Sequence, residues 1–370
     1  MPMPTVDIKL KSCEYQVAIA PGALADLGEN LSNLGARSAV IISDSTVSAL
    51  YADQALTSLC DANIKSALIS FPAGEQNKNL HTVEAIFDKL FALDIGLDRS
   101  TIIVGLGGGV STDIAGFIAA TAMRGLSWVA CPTTLLASVD ASVGGKTGVD
   151  HSAGKNLIGA FHQPARVIID VNTLKTLPAC EMRNGLAECV KHAVIADDSL
   201  LDFISQNSAS FFTKSPGEFK SDILAQLIAR NVQIKADIVQ QDERESGKRA
   251  FLNLGHTVGH ALELLVGYEN LSHGQAVSLG MIAADHIALN RGLISAKLSQ
   301  KIANLLAKIK LPVSLGKSCP DAEKIFQTMQ LDKKNQSGKI RMVLPKNNSV
   351  EIFDNIEKSQ ILSAIQELEI

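Results

Sequence analysis

Short runs of β-branched and aliphatic residues punctuate the first part of the chain, each ending in polar or glycine-rich sequence. Residues 38–44, 65–71 and 101–106 have the length and the bounding turns of buried strands. Between the second and third, residues 80–90 place Leu80, Val83, Ile86, Phe87 and Leu90 at helical spacing. Residues 166–170 read as a late strand. Strands separated by helices imply parallel pairing in a layered α/β structure. Near Leu177-Pro178 the pattern changes. Residues 223–230 and 276–284 read as helices, and the next β-rich run is 339–345. The expectation is an α/β domain with a parallel sheet over residues 1–178 and a mainly α-helical domain over residues 179–370.

Composition narrows the function classes. A length of 370 residues exceeds one comfortable core, so two domains are the default. Hydrophobic residues make up 46% and charged residues 19%, as in an ordinary soluble globule. A net charge of −4 argues against a general polyanion binder, and 4% aromatics with Trp128 alone among tryptophans argue against base stacking. Nucleic acid is therefore not an expected partner. No apolar run reaches spanning length without a charge or glycine break, so no membrane association is expected. Residues 1–7 lack the basic patch and apolar run of a secretory leader. The six cysteines are scattered with no CxxC, which fits a reducing cytoplasmic compartment with thiols as small core hydrophobes.

The third strand runs into Gly105-Leu106-Gly107-Gly108-Gly109, followed by Val110-Ser111-Thr112-Asp113. A glycine turn from strand to helix lets backbone approach a pyrophosphate and aims helix N–H groups at it, as in Rossmann-like domains. It is not a strict GxGxxG, and a plain tight turn fits the spacing equally well. Pro132-Thr133-Thr134 offers hydroxyls after another strand-like run. Gly145-Lys146-Thr147 is not a Walker loop, because Asp140 stands where that loop needs glycine. Lys146 and Lys155 nevertheless lie among glycines, as anion ligands do. Glu188 and Lys191 are spaced i, i+3, which suits either a surface ion pair or a metal carboxylate beside a cation.

Three of the eight histidines fall between residues 256 and 273, set among glycines. Neutral imidazole is a common zinc ligand, and glycine beside it leaves room for close approach. His256 and His260, at i, i+4, could share one ion. Thr257 stands where a zincin has glutamate, so the protease reading fails.

Taken in order, these segments resemble the 3-dehydroquinate synthase family of sugar-phosphate cyclases. The likeness runs from Gly107-Gly108-Gly109-Val110 through Arg124-Gly125, Pro132-Thr133-Thr134, Gly144-Gly145-Lys146-Thr147 and Gly154-Lys155-Asn156. It continues through Ala187-Glu188, Leu252-Asn253, Gly255-His256-Thr257, Gly259-His260-Ala261 and His273-Gly274 to Asp332-Lys333-Lys334. Many relatives carry Glu after His-Gly, where this chain has Gln275. The resemblance implies a Rossmann-like NAD domain and a helical metal domain. It implies Zn2+ or Co2+ held by Glu188, His256 and His273, with His260 a neighbour of the substrate; spacing alone leaves the two histidines of that helix undivided. NAD would lie on Gly108, Gly109, Val110, Asp113, Thr133 and Thr134, with Asp44, Glu75, Lys78, Lys146, Lys155, Thr176 and Glu181 around it.

The family substrate is 3-deoxy-D-arabino-heptulosonate 7-phosphate. By the resemblance, Lys146, Asn156, Lys334 and Arg124 of the partner subunit of a homodimer would hold phosphate. Arg249 with Asn253 would hold carboxylate, a planar acceptor that suits guanidinium. Asp140, Lys191, Lys235 and His260 would face the ring hydroxyls. The implied chemistry is transient oxidation by catalytic NAD, loss of phosphate by β-elimination, return of hydride and an intramolecular aldol closure. The alternatives are another sugar-phosphate cyclase or a metal-dependent polyol dehydrogenase, which would consume NAD.

Overall fold

In the computed structural model, residues 4–213, 218–267, 269–316, 319–330, 340–347 and 349–369 are described. Lys334, expected to hold phosphate, lies outside them. The chain divides into two compact units, Met1–Leu177 with Lys214–Arg244, and Pro178–Thr213 with Glu245–Ile370. Among the described residues no helix is long and apolar enough to cross a membrane.

The first unit is built on a seven-stranded sheet. Its strands are β1 (Thr5–Lys9), β2 (Glu14–Ala20), β3 (Ser38–Asp44), β4 (Lys65–Phe71), β5 (Thr101–Gly107), β6 (Ser127–Pro132) and, later in the chain, β9 (Arg166–Asp170). Their order is β1-β2-β9-β6-β5-β3-β4. All neighbours pair parallel except β1, which returns on β2 as an antiparallel edge with Thr5 opposite Ala18. Every residue of β3 and β5 is buried, as expected of central parallel strands covered on both faces. One face packs Ile41, Val104, Leu106, Val129 and Ile168 with Leu27 and Leu31 of α1 (Leu27–Asn33) and Ala55 and Leu59 of α2 (Ser45–Asp61). Helices α3 (Leu80–Phe91) and α4 (Gly109–Thr121) complete the alternation.

Two features of this unit depart from the reading of the sequence. Lys146 and Lys155, where the sequence pattern marks no strand, sit on a two-stranded hairpin, β7 (Lys146–His151) and β8 (Gly154–Phe161). Its strands cross where Gly148 faces Gly159: a Cβ on Gly148 would meet the Ile158 carbonyl oxygen at 2.5 Å. The glycines that resemble loop residues are there for that close approach. The second feature is helix α7 (Ser221–Gln241), which the sequence reading placed in the second domain. It belongs to the first unit, where it packs against β1 and β2. Its apolar face (Leu224, Leu227, Ile228, Val232, Val239) has no mark of which sheet it will cover.

The second unit is mainly helical: α5 (Ala179–Ala196), α6 (Asp198–Asn207), α8 (His256–Val266), α9 (His273–Asn290), α10 (Ala296–Lys308), α11 (Ala322–Gln330) and α12 (Lys358–Gln366). One hairpin joins them, β10 (Met342–Lys346) with β11 (Ser349–Phe353). Helix α9 is the axis, packed by α5, α8, α10, α12 and β10. It is buried on most of its circumference, as a central helix should be.

Candidate metal centre and nucleotide site

In the first unit the candidate cofactor residues gather at the carboxyl ends of β3, β5 and β6. Strand β3 stands between β4 and β5, so chain order reverses there, and a crevice opens at such a switch point. Asp44 ends β3 and caps α2 through bonds from Thr46 N–H (3.0 Å) and Val47 N–H (3.1 Å). Its other oxygen accepts from Ser111 Oγ at 2.9 Å. Gly107 has φ 150°, and a Cβ there would meet Ser111 Oγ at 2.5 Å, so only glycine fits the turn. Gly108 is the N-cap of α4 and supplies no side chain to it, which leaves the first-turn N–H groups of Gly109 and Val110 without a side-chain cap. Thr133 joins them, its N–H donating to Gly107 O at 2.9 Å, while Thr134 Oγ1 accepts from Ala137 N–H. A glycine-lined helix N-terminus with hydroxyls beside it fits an anionic pyrophosphate.

Lys78 draws further candidates together. Its ammonium lies 2.6 Å from Asp113 Oδ2 and 2.6 Å from Asn156 Oδ1. Burial pulls Lys78 down, but the charges of Asp113 and Glu75 outweigh it and hold the ammonium above its ordinary value. Asp113 is raised by its own burial, with Lys78 pulling the other way. Lys155 pairs with Glu75 at 3.3 Å. Asp140, on a wide helical turn (Ala137–Ala141), pairs with Lys235 of α7 at 2.5 Å. Thr176 Oγ1 shares a 2.6 Å hydrogen bond with Tyr51 Oη, a residue that no sequence pattern singles out. Lys146 is exposed on its hairpin, and Arg124 is exposed in the turn after α4 with φ 64°.

In the second unit three residues from three helices converge: Glu188 of α5, His256 at the start of α8 and His273 at the start of α9. One ligand atom from each lies within 4.8 Å of the others. His256 Nε2 is 3.6 Å from Glu188 Oε1, and His273 Nε2 is 3.3 Å from the same oxygen. Ligand atoms held at the usual distance from one tetrahedral zinc lie roughly 3.4 Å apart. The second nitrogen of each ring is occupied elsewhere: His256 Nδ1 by Leu254 O at 3.1 Å, His273 Nδ1 by Glu263 Oε1 at 3.1 Å. His256 is held well below the usual imidazole value, first by burial and then by Lys191, so its ring is neutral. It donates from Nδ1 and turns a lone pair toward a carboxylate oxygen, an arrangement that calls for a cation between them. His273 is pushed up to about 10: burial lowers it, but the hydrogen bonds and charges of Glu188 and Glu263 prevail. A pocket that drives an imidazole to protonate is short of positive charge, so the donor set fits a divalent metal.

Glycine here has a different task from the one its place beside histidine suggested. A Cβ on Gly280 would fall 1.8 Å from Gly255 O, and one on Gly259 2.9 Å from Ala276 O. Gly255 itself is left-handed, φ 78°. These positions let α8 and α9 touch backbone to backbone, which brings two histidines from separate helices to one carboxylate. Asn184 fixes the end of the same assembly. Its Oδ1 accepts from Gly274 N–H (3.0 Å) and Ser272 Oγ (2.8 Å), and its amide donates to Glu181 at 3.1 Å. Gln275 closes a capping box with Ser272, its Oε1 accepting from Ser272 N–H at 2.9 Å.

Around this cluster, Lys191 is buried with its ammonium on Glu188 Oε2, and the His260 ring stands edge-on to His256 at 5.2 Å. Arg249 is only 2% exposed, on the short turn Lys248–Asn253, and Asn253 donates to Glu245 at 3.2 Å. Glu245 and Glu263 were not selected from sequence; the one available signal for Glu263 is its seven-residue step from His256.

Comparison with known proteins identifies the family. Residues 68–184 match the family model described as 3-dehydroquinate synthase N-terminal, and residues 185–335 match the one described as 3-dehydroquinate synthase C-terminal. A 3-dehydroquinate synthase of Nostoc punctiforme is 42% identical over 363 residues, 98% of either chain. Among solved structures, 2-epi-5-epi-valiolone synthase from Streptomyces hygroscopicus subsp. jinggangensis, with NAD+ and Zn2+ bound, superposes with a TM-score of 0.85 at 29% identity, covering 97% of this chain and 98% of that one. A 2-deoxy-scyllo-inosose synthase complexed with carbaglucose-6-phosphate, NAD+ and Co2+ gives 0.86 at 26%, covering 98% and 99%. With both family models matched in succession and the relatedness running the whole length, the chain belongs to the 3-dehydroquinate synthase family.

Proposed function

We propose that the protein converts 3-deoxy-D-arabino-heptulosonate 7-phosphate to 3-dehydroquinate and phosphate, as an NAD- and metal-dependent carbon–oxygen lyase of the shikimate pathway. The observation that carries the reading is the meeting of His256 Nε2 and His273 Nε2 on one oxygen of buried Glu188. These three residues would hold Zn2+ or Co2+. NAD would lie on Asp44, Gly108, Gly109, Val110, Asp113, Thr133 and Thr134, bordered by Glu75, Lys78, Lys146, Lys155, Thr176 and Glu181. When bound, the metal supplies Lewis acidity toward a substrate hydroxyl and NAD supplies reversible hydride acceptance.

The chain's own residues supply placement and charge. Arg249, buried with its planar guanidinium, takes the substrate carboxylate with Asn253 beside it. Lys146, Asn156 and Lys334 take the phosphate, joined by Arg124 of a second copy in a homodimer. Lys235 and Asp140, already paired, receive ring hydroxyls, as do Lys191 and His260. Cations on the phosphate stabilise it as it departs, and that phosphate is itself able to accept the proton lost in elimination. The protein therefore needs no strongly basic side chain there. The six cysteines are free thiols, which suits a reducing, cytoplasmic compartment.

The decisive assay is phosphate release from the seven-carbon substrate with purified, metal-loaded protein and NAD below the enzyme concentration. Many turnovers per NAD are expected. Release that stops when NAD has been reduced once, or NADH accumulating from simple polyols, would replace this reading with a dehydrogenase.

A further inference from the structure

We infer that Glu263 is a positioning residue for the metal centre, fixing the tautomer of His273 and strengthening that ring as a ligand. The inference rests on the metal-site reading above. The two nitrogens of His273 have different neighbours: Nε2 faces Glu188 Oε1 at 3.3 Å, and Nδ1 faces Glu263 Oε1 at 3.1 Å. A carboxylate oxygen only accepts, so the bond keeps a ring hydrogen on Nδ1; with a metal in place of the second proton, the Nε2 lone pair would be turned to that ion beside Glu188 and His256.

His256 provides the internal contrast. Its Nδ1 meets a neutral acceptor, the Leu254 carbonyl oxygen, at 3.1 Å. A charged acceptor makes a stronger hydrogen bond than a neutral one and draws the N–H proton further, which raises the electron density at the opposite nitrogen. His273 is thereby the stronger donor of the pair. The two rings are not equivalent, although they converge on one oxygen.

Local sequence explains how Glu263 reaches this place. It lies seven residues after His256 on α8, and seven helical steps return to nearly the same face. His260, at the fourth step, shares that face. One stripe of α8 thus carries a ligand, a neighbour of that ligand and the group that orients a ligand on the next helix. Glu263 is 3% exposed. A carboxylate so far from water is expensive to keep there without a charged or donor partner, which makes it a poor choice as mere filler.

The test uses full-length, zinc-loaded protein carrying Glu263→Ala, Glu263→Gln or Glu188→Ala, with folding checked by circular dichroism. Zinc affinity is measured by chelator competition, and the ligand field by visible absorption after cobalt substitution. Glu263→Ala is expected to weaken zinc binding about 10- to 100-fold and to shift the cobalt bands. Gln keeps an oxygen that accepts from Nδ1 and loses the charge, so Glu263→Gln should fall between the alanine variant and the parent in both measurements. Folded variants with parental zinc affinity and cobalt spectrum overturn the inference, including the case in which only the melting temperature drops. If the alanine variant does not fold, the glutamine variant decides by the same two readouts. Glu188→Ala separates the two levels: its loss of zinc upholds the site, and retention of zinc there removes the site and this inference with it.

Discussion

Asn184 stands one helical turn before Glu188 on α5, and its side-chain oxygen grips the start of the helix whose first residue, His273, faces Glu188. One face of one helix thus carries the proposed metal carboxylate and the clamp that sets a second proposed ligand against it. Replacing Asn184 with Ala leaves the buried Gly274 N–H and the Ser272 hydroxyl without their shared acceptor. A loss of about 1–3 kcal/mol in stability is expected, together with weaker zinc retention. Denaturant titration and zinc content of the same preparation check both; loss of stability with full zinc retention would confine Asn184 to a capping role.

Gly280→Ala tests the contact between α8 and α9. The added Cβ would strike the Gly255 carbonyl oxygen, a backbone atom that cannot rotate aside. Separation of the helices should lower stability by about 1–3 kcal/mol or more, and zinc should be lost with it because His256 and His273 ride on the two helices. A variant that keeps both its melting temperature and its metal would show that the helices can part without disturbing the cluster.

Asp285 of α9 gives a pH signature away from the metal. Burial pushes its carboxyl up to about 6, with the Ser299 hydroxyl pulling the other way. Its folded value lies above its unfolded value near 4, so the protonated acid favours the folded state. That contribution is complete below about pH 4 and is lost as pH rises through about 6. A shift of this size corresponds to roughly 3 kcal/mol. Asp285→Asn should therefore match or exceed the parent in stability at pH 7 and lose that advantage toward pH 4. Urea midpoints of the two proteins across this range, if parallel, would exclude the effect.

Buried Lys78 pairs with half-buried Asp113 in the first unit. Lys78→Met removes the cation and strands the carboxylate, which should lower stability by about 3 kcal/mol and weaken NAD binding. Asp113→Asn added to that variant should recover most of the stability but not the affinity for NAD. A double-mutant cycle with urea unfolding and NAD titration decides it; purely additive effects would mean the pair is not coupled.

The alternating α/β order was legible because central strands are apolar on both faces. Residues 38–44, 101–106 and 166–170 mark the central strands β3, β5 and β9, and residues 65–71 mark β4 at the edge of the sheet. Weak or interrupted patterns hid others. Strand β1 alternates over only five residues, and β7 and β8 are broken by glycines that read as loop. The charge run 243–249 has the composition of a solvated loop, yet it ends on Arg249, which is buried. For the site, the residue types were visible and their grouping was not. Spacing pairs His256 with His260 on one helix, whereas the geometry sets His256 against His273, because the choice is made by the backbone contact between α8 and α9. No local pattern encodes that contact; the family resemblance names the three residues that the geometry groups, where spacing left the choice open.

The placement of α7 also bears on how the chain must be made. Strands β1 and β2 are synthesised first, yet the helix that packs on them ends at Gln241, after α5 and α6 have been translated. The sheet cannot be finished when residue 177 leaves the ribosome; it waits with an apolar surface uncovered while part of the other unit emerges. A fragment ending at residue 177 would keep that surface bare for good, and sticky insolubility rather than an independent NAD-binding module is what such a truncation should yield.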